Sequence, residues 1–408
     1  MKRYIIMSYD IHPLGGCQNY IWGKAAYLEE RGWDVFVLFA GSDKLPFTFP
    51  FLAKFADGNI PALDWVPAQL PSCLQKHVLK DMVSVVSSKH GKQYEQTIIE
   101  SHHDKTHLWG EILAKELHAK HICFNCNELF RGPDKYFEPY LAFFEFKYRR
   151  KELYGITEIS VSRLFDGYNG LHDLKEKNFK AKTPDSVQDV SSAAVDELPS
   201  ADWSICYIGR ILKSYVDNIL RDVALFAQRH TDKKINFITV GDASAKKEKI
   251  DTIFASLKNV TVVYLGNQVP IPRSLFSKTD VILAGSGCAY AARNEGVPII
   301  LPDPENCSSN GLYRYENMDS IKLDEGRSRE SFFDSLERVL VQKVHENMTF
   351  VPVEDNRTAA DFYDEHMQMI ADSSTKKEFY STEVLTKNDL TFRQKIGMIY
   401  QYYFRKLI

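Results

Sequence analysis

Two adjacent glycines, Gly15 and Gly16, lie between a short apolar run and a segment with helical periodicity. Because glycine has no Cβ atom, a glycine pair lets the backbone turn tightly or approach a ligand closely. The N-terminus of a following helix also favours anions. Two interpretations therefore stay open: an ordinary tight turn, and a stretch of backbone that contacts a ligand.

Cysteine and histidine side chains are further candidates for chemistry. The seven cysteines are an odd number, and they are scattered along the chain. Cys123 and Cys126 have the spacing of redox and zinc motifs. The histidines upstream of Cys126 include His102, His103, His107 and His121. No second CxxC motif is present, so we interpret the pair as reduced thiols of a buried strand and expect no metal site.

The composition excludes several classes of protein. The chain has 408 residues, and this length suggests two or three domains. A content of 44% hydrophobic and 26% charged residues is typical of a globular protein. The formal net charge of -3 argues against a general nucleic-acid binder. No apolar run approaches the roughly 18 residues that a membrane-spanning helix needs. We expect a cytoplasmic protein.

Strand and helix patterns alternate through the first half of the chain. Strands are predicted at RYIIMS, DVFVLF, QTIIES, HICFN and TEISVS. Cys17, Ile21, Ala25 and Leu28 recur at helical spacing, which predicts an amphipathic helix after the glycine pair, and THLWGEILAKELHAK predicts another. Strands that alternate with helices predict a parallel, doubly wound α/β sheet.

The alternation of strand and helix patterns stops near Leu171 and resumes near Asp202. The segment between these residues is rich in Lys, Asp, Ser and Pro, which is typical of a linker or an irregular surface segment. Further strands are predicted at WSICYIG, INFITVG, VTVVYLG, DVILAG and VPIILPD, with a helix at VDNILRDVALFAQRH. We predict an N-terminal Rossmann-like domain over residues 1–195 and a C-terminal one over 196–350. A helical tail over 351–408 is expected to pack back toward the N-terminal domain.

In chain order, these landmarks resemble the GT-B glycosyltransferases, and most closely their large retaining family 4. The resemblance extends from Met1 to about residue 320, and its best local match is the strand, glycine pair, helix and RGWDV strand at the start. It implies two Rossmann-like domains that face a cleft. It also implies that Gly15 and Gly16 lie in that cleft, near the donor phosphates and the acceptor.

A second match lies in CYIGRILKSY. Family members end a strand in Gly-Arg and carry a lysine about five residues later, and both cations hold the donor diphosphate. Gly209 and Arg210 match this pattern. The fifth position beyond Arg210 is Tyr215, however, and the nearest lysine is Lys213. The resemblance implies that Arg210 and Lys213 contact the diphosphate, and the alternative is an arginine on a solvated loop.

The third match is the region from VVYLGNQ to VPIILPD. The resemblance implies that Gly266 and Asn267 lie near the donor base. The loop beneath the diphosphate would be formed by Gly285, Ser286 and Gly287. The sequence GSGCAY at this loop also resembles the start of a dinucleotide fingerprint, but its third glycine position is a tyrosine, which disfavours a nicotinamide-dependent enzyme.

The chain departs from the family at positions that matter for the donor and the sugar. The family usually carries two glutamates across the third region, and the corresponding positions here are Leu283 and Ala291. A family histidine that contacts the sugar is replaced by Asn127, whose amide can still hydrogen-bond a hydroxyl. His102 and His103 follow the strand TIIES, at an edge where such sheets bind ligands. These two histidines and Asn127 are the candidate catalytic side chains, on the acceptor side.

The resemblance implies a retaining glycosyltransferase that moves a sugar from a nucleotide diphosphate, with UDP as the expected nucleotide. The acceptor would be a polysaccharide, such as an exopolysaccharide precursor, or a lipid-linked glycan, and neither a cofactor nor a metal would be needed. The missing glutamates leave a second hypothesis, a catalytically degenerate GT-B subunit that binds a glycan or a partner glycosyltransferase. A sugar-nucleotide epimerase fits less well, because such enzymes generally carry several carboxylates and histidines in the cleft.

Two segments, 140–154 and 391–408, are both basic and aromatic. Such composition suits helices at a membrane interface, where Lys and Arg reach anionic headgroups. We therefore expect peripheral contact with the inner face of the cell membrane. The alternative is that the aromatic rings pack inside their own domain while the charges face water.

Overall fold

The structure, a computed structural model, divides into two compact units. The N-terminal unit comprises Met1–Pro184 and Arg357–Ile408, and the C-terminal unit comprises Asp185–Asn356. The structure describes residues 1–11, 16–41, 50–87, 93–126, 131–156, 158–171, 187–318, 329–352, 357–374, 378–382 and 390–407. Within these ranges, every helix is too short or too polar to cross a bilayer.

A five-stranded parallel sheet forms the centre of the N-terminal unit as described. Its strands are β1 (Lys2–Ser8), β2 (Trp33–Phe39), β3 (Gln96–Ser101), β4 (Lys120–Asn125) and β5 (Leu153–Gly155). Their order across the sheet is β2-β1-β3-β4-β5, so the direction of winding reverses between β1 and β3. The helices of this part are α1 (Gly16–Glu30), α2 (Ser72–Ser87), α3 (Asp104–Leu117), α4 (Gly132–Lys135), α5 (Glu138–Arg149) and α6 (Glu158–Phe165).

The C-terminal unit is built on a six-stranded sheet with the order β13-β12-β11-β7-β8-β9. The strands of this sheet are β7 (Trp203–Ile208), β8 (Ile235–Val240), β9 (Val260–Gly266), β11 (Val281–Leu283), β12 (Ile299–Pro302) and β13 (Ser309–Leu312). Two short strands, β6 (Val187–Gln188) and β10 (Ile271–Pro272), form a separate parallel pair. Only β13 runs antiparallel to its neighbour in the described sheet. The helices are α7 (Ala193–Asp196), α8 (Val216–Arg229), α9 (Lys247–Phe254), α10 (Ser286–Ala292) and α11 (Phe332–Leu336).

The end of the chain returns to the N-terminal unit as α12 (Ala359–Ala371) and α13 (Phe392–Leu407). The Lys120 ammonium donates a hydrogen bond of 2.8 Å to the carbonyl of Ile370 at the end of α12. Tyr402 of α13 is buried in the same core as α2 and α3, and its hydroxyl hydrogen-bonds Asp81. These contacts bury one face of each terminal helix against the unit.

The C-terminal sheet is covered on two faces, since separate hydrophobic clusters pack on either side of it. One face of the N-terminal sheet packs in a core with α2 and α3, and on the other face Phe124 packs against Tyr20 of α1 and His366 of α12. The burial of nearly every residue of β1, β7 and β8 is typical of parallel strands between helix layers. The doubly wound α/β class and the helical C-terminal tail, predicted from the alternating pattern, are confirmed.

One predicted strand is wrong. TEISVS was predicted as a strand, but Glu158–Phe165 is the helix α6, and the strand β5 precedes it. Val161, Leu164 and Phe165 are buried together, and this spacing of three and four residues is that of a helix face. The alternation of apolar and small polar residues in such a short stretch cannot distinguish the two.

The predicted linker is partly ordered. Its second half contains β6 and α7, and Val187 and Val195 are buried in a core cluster of the C-terminal unit. The second compact unit therefore begins at Asp185, about ten residues before the predicted boundary at 195.

The expectation of a membrane-facing helix at 140–154 is contradicted. Tyr140, Phe143 and Phe144 of α5 are buried in a core cluster of the N-terminal unit, and the Lys147 ammonium is buried between Glu111 and Glu152. The aromatic residues of this segment thus serve its own core, and its lysine completes an internal ion-pair network. Segment 391–408 is different, because α13 leaves one aromatic face exposed.

Candidate functional site

Three neighbouring strands of the C-terminal unit end in glycine. Gly209 follows β7, Gly241 follows β8 and Gly266 ends β9, with φ angles of 151°, 132° and 65°. The amide of Gly209 donates to the carbonyl of Val240 (3.0 Å), and the amide of Gly241 donates to that of Gly266 (2.8 Å). A Cβ atom on Gly241 would lie 2.4 Å from the carbonyl oxygen of Gly209, so no larger residue fits. This edge therefore consists of closely spaced bare backbone.

Gly241 was absent from the sequence-based prediction, although its signal was visible as the glycine that ends INFITVG. Its importance depends on the neighbouring backbone of Gly209, which no local pattern reveals. Gly209 and Gly266 were predicted as donor contacts, and both lie at this edge. Asn267 follows Gly266 and is exposed.

The carboxyl ends of β7 and β11 are adjacent, at the point where the strand order of this sheet reverses. In doubly wound sheets, ligands bind outside the carboxyl ends of the strands at this switch point. The loop after β7 contains Gly209, Arg210 and Lys213. After β11, Gly285 precedes α10 and Gly287 lies in the first turn of that helix. The topology thus brings the second and third matched segments together.

Arg210 and Lys213 occupy the turn between β7 and α8. The Tyr207 hydroxyl donates to the Arg210 carbonyl (2.9 Å), which fixes the backbone of the turn and leaves the guanidinium exposed. Burial raises the pKa of the Cys288 thiol of α10, while the nearby charges of Lys213 and Arg210 lower it. The positive charges of Arg210 and Lys213 therefore lie close enough to the first turn of α10 to affect Cys288. Among the described residues, no carboxylate forms an ion pair with Arg210.

The three residues at the start of α10 that were predicted as a glycine loop, Gly285, Ser286 and Gly287, differ in what their backbone positions require. A Cβ atom on Gly285 would lie 3.1 Å from the Pro302 side chain and 3.7 Å from the Tyr215 hydroxyl, so packing favours glycine there. Ser286 has a φ of 52°, a left-handed conformation that is uncommon for serine. A Cβ atom on Gly287 would meet no atom within 4 Å. The fold itself thus does not require glycine at 287.

The acidic residues near this loop are engaged elsewhere. Leu283 lies in the buried strand β11, and Ala291 packs against the core, so neither position offers a carboxylate. Both oxygens of Glu295 accept hydrogen bonds of 2.7 Å from Arg273. Asp303 accepts from two backbone amides and from Arg329. These two carboxylates hold loops in place, and the glutamates of the family pattern have no substitute among them.

In the N-terminal unit, the order of strands reverses between β1 and β3, and Gly16 and His102 follow these strands. Gly16 opens α1, is exposed, and would meet no atom within 4 Å if it carried a Cβ atom. Gly15 and Asn127 lie outside the described residues. His103 caps α3, since its backbone amide donates to the Thr106 hydroxyl (3.0 Å), and its ring is partly buried.

His102 is a buried residue rather than one that lines an open surface. Its side chain has no exposed area, and its Nε2 atom lies 2.7 Å from the Glu100 carboxylate. The Tyr4 hydroxyl donates to the other oxygen of Glu100. Burial alone would raise the pKa of Glu100, but the His102 hydrogen bond and the charges of His366, His102 and Lys24 hold it well below the usual range.

The same buried cluster ties the end of the chain to its beginning. The Lys24 ammonium of α1 donates to Nδ1 of His366 in α12 over 3.0 Å. Burial lowers the pKa of Lys24 to about 8, against the opposing influence of Glu100 and Asp364. Lys24 and His366 are fully buried. Sequence analysis missed both residues, because their partners are more than 300 positions away.

A second buried network lies around Glu111 of α3. Lys147 contacts its carboxylate at 2.5 Å, and Nδ1 of His121 lies 2.7 Å from it. Burial would raise the pKa of Glu111, but Lys147 and the hydrogen bond from His121 lower it to about 2. The Tyr380 amide also donates to Glu111 (2.7 Å). Every oxygen of this carboxylate is engaged, so the network holds structure.

No protein-family model matches this sequence, and no curated protein is significantly similar to it in sequence. Solved structures are similar in fold. HepE from Anabaena, in complex with UDP and glucose, has a TM-score of 0.55 and 12% identity over 98% of this chain and 99% of that chain. Sucrose-phosphate synthase from Thermosynechococcus elongatus has a TM-score of 0.55 and 12% identity over 99% of each chain.

UDP-GlcNAc 2-epimerase from Neisseria meningitidis, bound to UDP-GlcNAc, is similar with a TM-score of 0.51 and 12% identity, over 91% of this chain and 100% of that chain. Identities this low establish the fold alone. The chain has the GT-B fold, as the order of its sequence landmarks predicted.

Proposed function

We propose that the chain is a glycosyltransferase that transfers a sugar from a nucleotide diphosphate, with UDP as the nucleotide. The observation that carries the proposal is the exposed Arg210 beside Lys213, at the switch point of a sheet edge made of glycines. A planar guanidinium bonds two phosphate oxygens at once, and lysine adds a second positive charge. A dianionic diphosphate complements this surface.

The residues have separate roles in the proposed reaction. Negative charge grows on the diphosphate as the bond to the sugar breaks, and Arg210 and Lys213 stabilise it. Gly285 and Gly287 let the backbone approach the phosphates, and Gly266 with Asn267 contacts the base through backbone groups. Retention of the anomeric configuration follows from the resemblance to family 4. Neither a cofactor nor a metal at the diphosphate takes part in this scheme.

The similar structures support a UDP-linked donor, because HepE was crystallised with UDP-glucose as well as with UDP and glucose. The proposed acceptor is a growing polysaccharide or a lipid-linked glycan.

A lipid-linked acceptor is supported by the exposed face of α13. Phe392, Ile396, Tyr400 and Tyr403 are 79%, 49%, 67% and 44% exposed, and their spacing places them on one side of the helix. The segment 391–408 has four basic residues and no acidic one. Such a face suits the interface of an anionic membrane, with the enzyme at the cytoplasmic side.

The test of donor binding is calorimetric unfolding of the full chain with UDP, GDP or uridine. A nucleotide at about 100 times its Kd stabilises the protein by about 2.7 kcal/mol. We expect a shift with UDP that Arg210→Ala abolishes. Arg229→Ala is the matched control, because Arg229 is an exposed arginine at the far end of α8, about 20 Å along the helix. No shift with any nucleotide, or the same shift in Arg210→Ala, would refute the donor site.

A second candidate function is a degenerate GT-B subunit that binds a glycan or a partner glycosyltransferase. The absence of carboxylates at Leu283 and Ala291 favours it, as does the engagement of Glu295 by Arg273. The two functions differ in turnover. UDP binding without release of UDP from any UDP-sugar, in the presence of lipid-linked acceptors, would favour the subunit. A UDP-sugar converted to its epimer without an acceptor would instead indicate an epimerase.

A further inference from the structure

Three side chains that can bind a metal meet at the carboxyl edge of the N-terminal sheet. Cys17 is the second residue of α1, His102 follows β3 and Cys126 follows β4. One ligand atom from each lies within 4.8 Å of the others. The three segments are distant in sequence, and the parallel sheet brings their ends together.

The imidazole of His102 is oriented and has one unused nitrogen. It is 1% exposed, and its Nε2 atom lies 2.7 Å from Glu100. Because a carboxylate only accepts hydrogen bonds, Nε2 carries the proton and Nδ1 presents a lone pair in the neutral ring. Nδ1 is buried and has no hydrogen-bond partner among the described residues. A carboxylate that fixes the far nitrogen of a histidine is the usual support of a metal-binding imidazole.

The two thiols are the other half of the cluster. The sulfur atoms of Cys17 and Cys126 lie within 4.8 Å of each other, and both residues are partly buried. Thiolates are the form of cysteine that binds metals. Two thiolates and a nitrogen around tetrahedral zinc lie about 3.8 Å from each other. The present separations of up to 4.8 Å need only small side-chain rotations to reach this value.

We propose that Cys17, Cys126 and His102 bind a divalent cation of borderline softness, with Zn²⁺ as the first choice. Two sulfur ligands and an imidazole suit Zn²⁺ and disfavour Mg²⁺ and Ca²⁺, which prefer oxygen. Two thiolates also neutralise the charge of the ion, which matters at a partly buried site.

The site differs from the one that the CxxC spacing suggests. Cys123 is fully buried, and its sulfur lies 3.9 Å from Nε2 of His121. Burial raises the pKa of the Cys123 thiol far above its usual range, so it stays protonated. Cys126 therefore pairs with Cys17 across the sheet edge. The cluster belongs to the N-terminal unit alone, and its test is independent of the donor site.

The experiment uses the full chain, purified with a phosphine reductant, stripped with a chelator and titrated with Co²⁺ and then Zn²⁺. We expect one Co²⁺ per chain, with an intense thiolate-to-cobalt charge-transfer band and the visible bands of a tetrahedral site, displaced by Zn²⁺. Zn²⁺ affinity is measured by competition with a chromophoric chelator. Cys17→Ser and Cys126→Ser should each weaken Zn²⁺ binding at least about 100-fold.

Cys73→Ser is the matched control, because Cys73 is an exposed cysteine of α2, and it should leave the titration unchanged. Melting temperatures of the metal-free variants establish that they fold. The proposal is overturned if the wild-type protein shows no thiolate band with Co²⁺, or if Cys17→Ser keeps full affinity. It is also overturned if mass mapping finds a disulfide between the two cysteines and the reduced protein binds no Zn²⁺.

Discussion

Substitution of Gly287 by alanine should stabilise the fold and weaken UDP binding. A Cβ atom at this helical position would meet no atom within 4 Å, so the substitution introduces no clash. Replacing glycine by alanine at a compatible site stabilises a protein by about 0.4–1 kcal/mol, because the unfolded chain loses freedom. For a unit of about 170 residues, this raises Tm by about 1–4 °C.

The effect on UDP has the opposite sign. If the diphosphate lies against the backbone of this loop, the added methyl group occupies space that the phosphates need. Overpacking of this kind costs about 1–3 kcal/mol, or roughly 5- to 150-fold in Kd. At a UDP concentration of about 100 times the wild-type Kd, the ligand-dependent shift in Tm is about 5–10 °C, and roughly a third to nine tenths of it should disappear across this range of Kd.

The assay is differential scanning calorimetry of the apo and UDP-bound protein, with Kd from isothermal titration. Gly397→Ala is the matched control. Gly397 is also a helical glycine whose added Cβ atom would meet nothing within 4 Å, but it lies in α13 of the other unit. A Gly287→Ala variant that is more stable and keeps the wild-type Kd for UDP would refute the assignment of this loop to the diphosphate.

Three further outcomes are expected. Glu111→Gln leaves Lys147 buried without its closest carboxylate, so the free energy of unfolding in urea should fall by about 3–5 kcal/mol. An unchanged urea midpoint would contradict this. In the wild type, the folded-state pKa of Glu111 is lowered to about 2, so its stabilisation is complete above about pH 4.5. As the pH falls from there toward 2, about 3 kcal/mol of this stabilisation should be lost. In unfolding measured against pH, the decrease over this range should therefore be smaller in Glu111→Gln by about that amount. The double variant Phe392→Ser, Tyr400→Ser should float less with anionic vesicles than the wild type does, and neutral vesicles should bind neither of these two proteins. Equal flotation of the wild type and the variant with anionic vesicles would argue against α13 as the membrane contact.

Local pattern was sufficient for most strands and for the loops at their ends. Continuous apolar runs predicted β1, β7 and β8, because strands buried on both faces need no alternation. The glycines after β7 and before α10 were placed at the correct ends of their strands, since a glycine after a strand indicates a turn. The rest of that edge depends on strand order, and strand order is set by contacts distant in sequence.

The buried polar clusters could not be predicted for the same reason. Lys24 lies on a helix whose periodic face was predicted from Ile21, Ala25 and Leu28, yet it is fully buried. Its partner His366 lies 342 residues away, so no local pattern marks a lysine that enters the core. The α6 error has a different origin, because eight residues are too few for the helical and strand periods to separate.

The charges near the proposed donor site bear on which part of a nucleotide the chain would hold. Three carboxylates of this unit are paired: Glu295 with Arg273, Asp303 with Arg329 and backbone amides, and Asp217 with Lys246 and Lys249. Arg210, in contrast, forms no ion pair with a described carboxylate. The loop therefore presents net positive charge, which favours a diphosphate over a neutral ligand. In the proposed site, alanine at 291 offers the ribose no carboxylate. On that proposal the diphosphate supplies most of the affinity, so we expect a 2′-deoxy nucleotide to bind nearly as well as its ribose counterpart, unlike at a site that holds the ribose hydroxyls with a glutamate.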